Sequence, residues 1–344
     1  MAKVSVLLPC YKAERWLADA LDSVIRQTAR DIEILVYDDG SADRTPYILD
    51  GYARRDRRVR IFGGEANRGI VHALNFLLDH ADGDYVARMD ADDVSLPHRF
   101  ETQLAFLADT GVDLCGSWFQ EFGCGLPRTV RWVHEESAVR VAMLFQNTIC
   151  HPTLLARRDV FGDFRYRRSH SLAEDYDLFA RAGTRFRLAN VPRVLLRYRR
   201  HRAQETQARR SAMEHVTRSI RADALIAAGV DASPADLHIH NMIRAPQSIR
   251  DPDYLERIEA WLIRLAELQD DERAQHVVAS QWIRACIRAA PLGFNMLKRY
   301  RRSPLRVMGG GGAGVDADLT LLALTKLDYL SPPFELLRRF RLSA

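Results

Sequence analysis

The feature that most limits how this chain can fold is a two-period alternation over its first third. Short apolar runs rich in β-branched residues read as buried strands at Lys3–Leu8, Ile32–Tyr37, Val59–Phe62, Tyr85–Met89 and Val112–Ser117. Between them the spacing is helical. Within Glu14–Arg26 the apolar residues Trp16, Leu17, Ala20, Leu21, Val24 and Ile25 recur at i, i+3 and i+4. Thr45-Pro46 reads as the cap and first turn of a second helix. Ile70–His80 is a third, and Ser95 with Pro97 opens a fourth running to about Ala108. Strand–helix–strand repeated in this way predicts an α/β fold: a mostly parallel sheet with helices on both faces.

In such sheets ligands bind beyond the C-terminal ends of the strands. Three loops fall there: Pro9-Cys10-Tyr11, Asp38-Asp39-Gly40-Ser41, and the segment Asp90 to Asp93. The last crowds Asp90, Asp92 and Asp93 into four residues. Their mutual repulsion is poorly screened where water is scarce, and a divalent cation removes it. Hard oxygen donors suit Mg²⁺ or Mn²⁺, with substrate phosphates completing the shell. A calcium EF-hand is excluded, because Ser95 stands at the loop position that requires glycine. An exposed turn capping the next helix is the alternative reading of the same residues.

Composition narrows the class. A chain of 344 residues, 47% hydrophobic, suits one large or two modest domains. No apolar run approaches the ~20 residues needed to cross a bilayer, and MAKVSVLLPCYKAERW reads as an opening strand in place of a secretory signal. The cysteines Cys10, Cys115, Cys124, Cys150 and Cys286 form no CxxC pair. That points to reduced thiols in the cytoplasm, not to a disulfide framework or a zinc site. The formal net charge is +5, with arginine-rich runs at 54–60, 197–202 and 298–306. These read either as solvated faces or as surface that attracts phosphate, on a nucleotide or an anionic membrane. No nucleic-acid-binding motif or aromatic platform accompanies them, so nucleic acid is not an expected partner.

After Arg202 the strand pattern stops. Residues 203–344 read as a helical subdomain, with amphipathic segments such as MEHVTRSIRADALIAAG and DYLERIEAWLIRLAELQ. GGGGAG (309–314) formally fits GxGxxG, but the short PLRVM before it begins at a proline. The run is therefore read as a flexible linker. FNMLKRYRRSPLRVM and PPFELLRRFRLSA mix large apolar residues with Arg and Lys. They read either as docked helices with a solvated arginine face or as contacts with the inner-membrane surface.

Six blocks in order resemble the family 2 glycosyltransferases: VSVLLPCYKAERWLADALDSVIRQT, EILVYDDGSADRT, NRGIVHALN, GDYVARMDADDVSLPHR, HPTLLARRDVF and AEDYDLFARA. The resemblance covers roughly residues 3–202. It implies a GT-A nucleotide-sugar-binding fold as the catalytic domain, residues 1–202. The nucleotide-binding half would be about 1–95 and the acceptor half about 96–202. It also implies a nucleotide-sugar donor, with a UDP-sugar expected. Pro9, Tyr11, Asp38 and Asp39 would hold the base and ribose. Asn67 and Arg68 would lie near the donor, with Arg68 in reach of a phosphate. Asp90 would touch the ribose or the metal shell, and Asp92 would ligate Mn²⁺ or Mg²⁺ on the diphosphate. Asp93 is read as capping or orienting the loop. Asp175 would be the general base, with Glu174 supporting it or touching the acceptor, at a helix start where the dipole favours ionised carboxylates. His201 would approach the metal or the diphosphate. His151 either lines the acceptor side or is a buried, hydrogen-bonded histidine.

A single base implies one in-line displacement with inversion. The implied activity is transfer of a sugar to a hydroxyl of a glycan or lipid-linked acceptor, in bacterial surface polysaccharide or lipopolysaccharide assembly. The protein would be cytoplasmic or peripheral on the inner membrane, with homo-oligomerisation left open. Two other readings stand beside it. A sugar nucleotidyltransferase would carry a glycine-rich basic loop after the first strand, and PCYKAERW has no glycine there. A non-catalytic nucleotide-sugar-binding scaffold would bind the donor without turnover.

Overall fold

The computed structural model describes residues 3–201 and 210–340. Two compact units emerge: Met1–Val139 with Gln146–Ile220, and Arg140–Phe145 with Arg221–Ala344. The boundary expected at 202 to 203 lies outside the described residues.

The first unit holds a nine-stranded sheet. Its strands are β1 (Val4–Cys10), β2 (Ile32–Asp38), β3 (Val59–Gly63), β4 (Tyr85–Arg88), β5 (Val94–Ser95), β6 (Leu114–Phe122), β7 (Arg128–Val130), β8 (Leu155–Arg157) and β9 (Leu188–Arg199). They run in the order β3-β2-β1-β4-β8-β6-β9-β5, with β7 added to β6. The parallel ladders are the longer ones. β1 pairs with β2 from Val4↔Ile32 to Cys10↔Asp38 and with β4 from Val4↔Tyr85 to Leu7↔Arg88. β6 and β9 form a second parallel ladder, with register shifts around Trp118. The three-residue β8 joins the two halves by antiparallel pairing to both β4 and β6.

The helices follow the expected pattern: α1 (Leu17–Ile25), α2 (Thr45–Arg55), α3 (Ile70–Asp79) and α4 (Arg99–Thr110), then α5 (Glu136–Ala142), α6 (Val160–Asp163) and α7 (Glu174–Ala182). α1 buries Leu17, Ala20, Leu21 and Val24 completely, and each large apolar side chain so buried stabilises the fold by about 1.5–3 kcal/mol. Two helix starts differ from expectation. Thr45 sits inside α2, and its hydroxyl accepts from Ala13 N at 2.8 Å instead of capping its own helix. Ser95 belongs to β5, and α4 begins at Arg99. The cause is pairing: Val94 and Ser95 are drawn into an antiparallel bridge with Arg197 and Leu196.

Behind the fourth strand lies a buried arginine. Arg99 is fully buried; its Nε donates to Gln103 Oε1 at 3.0 Å, and its Nη2 donates to Arg88 O at 2.9 Å and Leu154 O at 3.0 Å. It satisfies carbonyls at the ends of β4 and of the segment entering β8, so the strand that leads into the acidic segment is held in place.

The described part of the second unit is helical. Helices Pro252–Glu267 and Glu272–Arg288 pack Leu255, Ile258, Leu262, Val278 and Trp282 into a core of their own. Asp251 and Asp271 cap these two helices, and Ser233 with Asp236 forms a capping box on Pro234–Met242. The glycine run at 309–314 corrects the linker expectation. Gly309 N and Gly311 N donate to Leu305 O and Arg306 O, both at 2.9 Å, closing a turn after Leu305–Met308. A Cβ on Gly311 would lie 2.5 Å from the Tyr300 hydroxyl, so glycine stands there for close packing and not for looseness. Among the described residues, no helix is long and apolar enough to cross a membrane.

Candidate active site

Three loops at the C-terminal ends of β1, β2 and β3 are stitched together. Asp39 N donates to Cys10 O at 2.9 Å, and Lys12 N donates to Ser41 Oγ at 2.8 Å. Asp39 is buried, and both its carboxylate oxygens are engaged: Oδ1 accepts from Arg68 N and Oδ2 from Gly69 N, each at 2.8 Å. Gly40, at φ +75°, lets the second loop press on the third, since a Cβ there would sit 2.9 Å from the backbone of Ala66. Of the residues expected near a nucleotide, Pro9 is in β1 opposite Tyr37, and Asp38 Oδ1 accepts from Ser41 N at 3.2 Å. Tyr11, Asn67 and Arg68 present exposed side chains. Asp39 therefore acts first as a latch on the main chain of 68–69.

The acidic segment turns sharply between β4 and β5. Ligand oxygens of Asp90, Asp92 and Asp93 all lie within 4.8 Å of one another. Asp90 keeps 27% of its side-chain exposure, so a cation can reach it. Its other neighbour is Arg88, a buried guanidinium on β4 whose Nη2 ion-pairs with Asp90 Oδ1. Arg88 Nε and Nη1 are buried without an acceptor. Asp93 is buried; its Oδ1 accepts from Arg199 N at 2.7 Å, and its Oδ2 has no partner. Burial pushes the Asp90 carboxyl up to about 6; Arg88 opposes this, while Asp92 and Glu174 add to it. Burial also lifts Asp93 well above the carboxylate range, helped by Asp90 and Asp92. Three crowded, hard oxygen donors, one with an orphaned buried oxygen, fit a small divalent cation.

The end of β9 clamps this turn. Arg199 Nε donates to Asp92 O at 2.7 Å, its Nη2 pairs with Asp19 at 2.9 Å, and its guanidinium lies 4.1 Å from the Trp16 ring centroid. His201 Nε2 stands 2.9 Å from Asp92 Oδ2. The structure thus brings Asp90, Asp92, Asp93 and His201 together.

α7 supplies the second pair of carboxylates. Leu172, at φ +95°, turns the chain into the helix, and its N–H donates to Glu174 Oε2 at 3.0 Å. A non-glycine residue in that region is strained, and such strain persists only where surrounding bonds impose it. Asp175 is held at both oxygens: Oδ1 accepts from Tyr176 N at 2.7 Å, and Oδ2 accepts from Asn147 Nδ2 at 2.8 Å. Asn147 is itself fixed, its Oδ1 accepting from Ile149 N at 3.1 Å. Burial raises the Asp175 carboxyl to about 7, with the Glu174 charge adding to the rise; the Tyr176 N–H and Arg88 pull it back. Arg88 acts on Asp90, Asp93 and Asp175 alike, and Glu174 acts on Asp90. The two acidic groups therefore share one electrostatic site, with Arg88 as its buried counter-charge.

His151 takes the second of its two readings. It is buried, its Nε2 is 2.9 Å from the Tyr166 hydroxyl, and burial pushes its pKa well down. Sequence reasoning missed Arg88, Asn147 and Arg199. Only Arg199 carried a signal, as part of an arginine run read as a surface feature.

Residues 5–171 match the model of Glycosyl transferase family 2. An uncharacterized glycosyltransferase of Haemophilus influenzae is 31% identical over 211 residues, 58% of this chain and 65% of that protein. The O-antigen biosynthesis glycosyltransferase WbnJ of Escherichia coli is 29% identical over 205 residues, 57% of this chain and 80% of its own. The chain thus spans slightly less than two thirds of the first of these relatives. Two solved structures share the fold. A crystal structure of S. aureus TarS 1-349 in complex with UDP-GlcNAc has a TM-score of 0.56 at 18% identity, covering 92% of this chain and 91% of that one. The mannosyltransferase PcManGT from Pyrobaculum calidifontis, in complex with GDP-Man and Mn²⁺, has a TM-score of 0.56 at 17% identity, covering 94% and 86%.

Proposed function

Because this chain belongs to glycosyl transferase family 2, we propose that it moves a sugar from a nucleoside-diphosphate donor to an acceptor hydroxyl by one inverting displacement, with Asp175 as general base. The observation that carries this reading is the state of Asp175. Its carboxylate is fixed at both oxygens and its pKa is raised to about 7. A general base works best when its pKa lies near the operating pH, and it must be oriented by another group.

Asp175 would take the acceptor hydroxyl proton as the acceptor oxygen bonds to the anomeric carbon. The bond from that carbon to the donor phosphate breaks, and the electron pair leaves with the diphosphate. Glu174 keeps Asp175 basic by its charge, and Asn147 with the Tyr176 N–H keeps it aimed. Asp90 and Asp92, joined by Asp93, would hold Mn²⁺ or Mg²⁺, with His201 beside Asp92. Such an ion, when bound, neutralises charge developing on a leaving diphosphate. Tyr11, Pro9 and Asp38 would meet the nucleoside, with Asn67 and Arg68 held in place near it by Asp39. A UDP-sugar donor and a glycan or lipid-linked acceptor of bacterial surface polysaccharide assembly are the substrates proposed, with the protein working in the cytoplasm or on the inner-membrane surface.

The test is a panel of nucleotide sugars assayed for transfer and hydrolysis with Mn²⁺, alongside calorimetric donor binding. Asp175→Asn is expected to bind donor nearly as the wild type does and to lose about 10²–10⁴-fold in turnover. Full turnover in that variant would sink the assignment of the base.

A further inference from the structure

A second set of charged residues lies in the C-terminal unit and shares no residue with the candidate active site. A cavity of about 140 Å³ is lined by four arginines, Arg244, Arg284, Arg288 and Arg338, against walls that include Tyr329 and Phe334. Among the described residues, no carboxylate lines it. Arg288 is 3% exposed. Its Nε donates to Gln247 O at 2.8 Å and its Nη1 to Met242 O at 2.7 Å, while its Nη2 is buried without an acceptor. Its bonded partners are neutral carbonyls, which satisfy N–H groups but do not cancel the charge. Arg284, four residues earlier on the same helix, is exposed and has no hydrogen bond or ion pair among the described residues. Arg244 Nη1 donates to Gln281 Oε1 at 3.3 Å. The nearest acid in sequence to any of the four, Glu335, pairs with Arg338 at 2.8 Å.

Arg338 already has Glu335 as its ion-pair partner, whereas Arg288 is buried against neutral carbonyls with Nη2 unsatisfied, and a buried guanidinium without a counter-charge is costly. An anion removes that penalty. The guanidinium fork matches the oxygen spacing of phosphate and carboxylate, and Arg284 and Arg288 together suit a group carrying more than one negative charge. The volume is well under the roughly 300 Å³ at which pockets begin to take drug-sized ligands, so the recognised group is compact. We propose that this cavity is an anion site for a phosphoryl group, with Arg284 and Arg288 as its principal donors.

Phosphoryl groups reach a protein either free in solution or on a lipid headgroup, and the experiment separates the two. The full chain is titrated with inorganic phosphate at constant ionic strength, with sodium chloride as control, by calorimetry and thermal shift. It is also sedimented with phosphatidylcholine vesicles with and without phosphatidic acid. Wild type is expected to bind at least one probe saturably. Arg284→Glu is expected to weaken that binding by about tenfold or more, about 1.4 kcal/mol, with its circular dichroism spectrum and phosphate-free melting temperature unchanged. Arg338→Ala provides a second, independent reduction. Arg288→Met is not relied on, because Arg288 also bonds the 242–247 carbonyls. Loss of inorganic phosphate binding identifies a free anion; loss of vesicle binding alone identifies a headgroup. Absence of saturable binding to both probes, or binding that neither variant weakens, would overturn the proposal.

Discussion

Replacing Asp175 with asparagine should make the protein more stable above pH 7 while it destroys turnover. The structure lifts the Asp175 carboxyl from 3.8 to about 7, through burial first and the Glu174 charge second. Keeping it ionised in the folded protein therefore costs about 4 kcal/mol, at 1.36 kcal/mol per pH unit. Asparagine removes the charge, and with it both the desolvation and the repulsion. One amide N–H of the new side chain then faces a donor, either Asn147 Nδ2 or Tyr176 N, a mismatch of about 1–2 kcal/mol. The net gain is about 2–3 kcal/mol, which raises the melting temperature of a unit of this size by roughly 5–10 °C. The sign follows from proton counting. Between pH 3.8 and about 7 the folded state holds a proton on Asp175 that the unfolded chain has released. Wild-type stability must therefore fall as pH rises through that window, and the variant lacks this contribution. Melting curves of both proteins in EDTA, from pH 4 to pH 8, should show a gap that is small at the acid end and full at the alkaline end. A gap independent of pH, or a variant less stable than wild type at pH 8, would refute the reasoning.

Two further outcomes follow from the same geometry. Asn147→Ala removes a hydrogen bond to the ionised form of Asp175, so kcat should fall by about tenfold or more with donor KM little changed, and the acidic limb of the pH–rate profile should move to higher pH; an unshifted limb would show that Asn147 does not act through Asp175. Gly40→Ala forces a Cβ to within 2.9 Å of the Ala66 backbone at φ +75°, which should lower stability by about 1–3 kcal/mol and weaken donor binding as the 66–69 loop is displaced, both read by thermal melting and donor calorimetry.

The parallel half of the sheet was legible because its strands are short apolar runs and α1 and α3 carry apolar stripes, while α2 showed itself only by Thr45-Pro46. Of the rest, only the start of β6 was legible, as Val112–Ser117. β7 and β8 have three residues each, too few for any period to register. β9 reads LANVPRVLLRYR, where Pro192 and three arginines interrupt the alternation, and the shifts near Trp118 absorb the irregularity. In the site, the carboxylates announced themselves by crowding. Their supports did not, because each makes its decisive contact far along the chain. Asn147 reaches Asp175 across 28 residues and Arg199 reaches Asp92 across 107. Arg88 offered only a charged residue at the end of an apolar strand, where a solvent-facing position would have looked the same. The linker expectation failed for a related reason: glycine's freedom and glycine's small size look identical in a sequence, and packing against Tyr300 decided between them.

The latch between Asp39 and the N–H groups of Arg68 and Gly69 grips main chain alone. Whatever side chains occupy 67 and 68, the grip persists, provided the backbone keeps its course. If Asn67 and Arg68 face the donor as proposed, they can be exchanged by drift or by an engineer, one at a time, without dismantling the scaffold beneath. A library randomised at Asn67 and Arg68 should yield mostly folded proteins, and any change of accepted nucleobase among them would come without a penalty in yield.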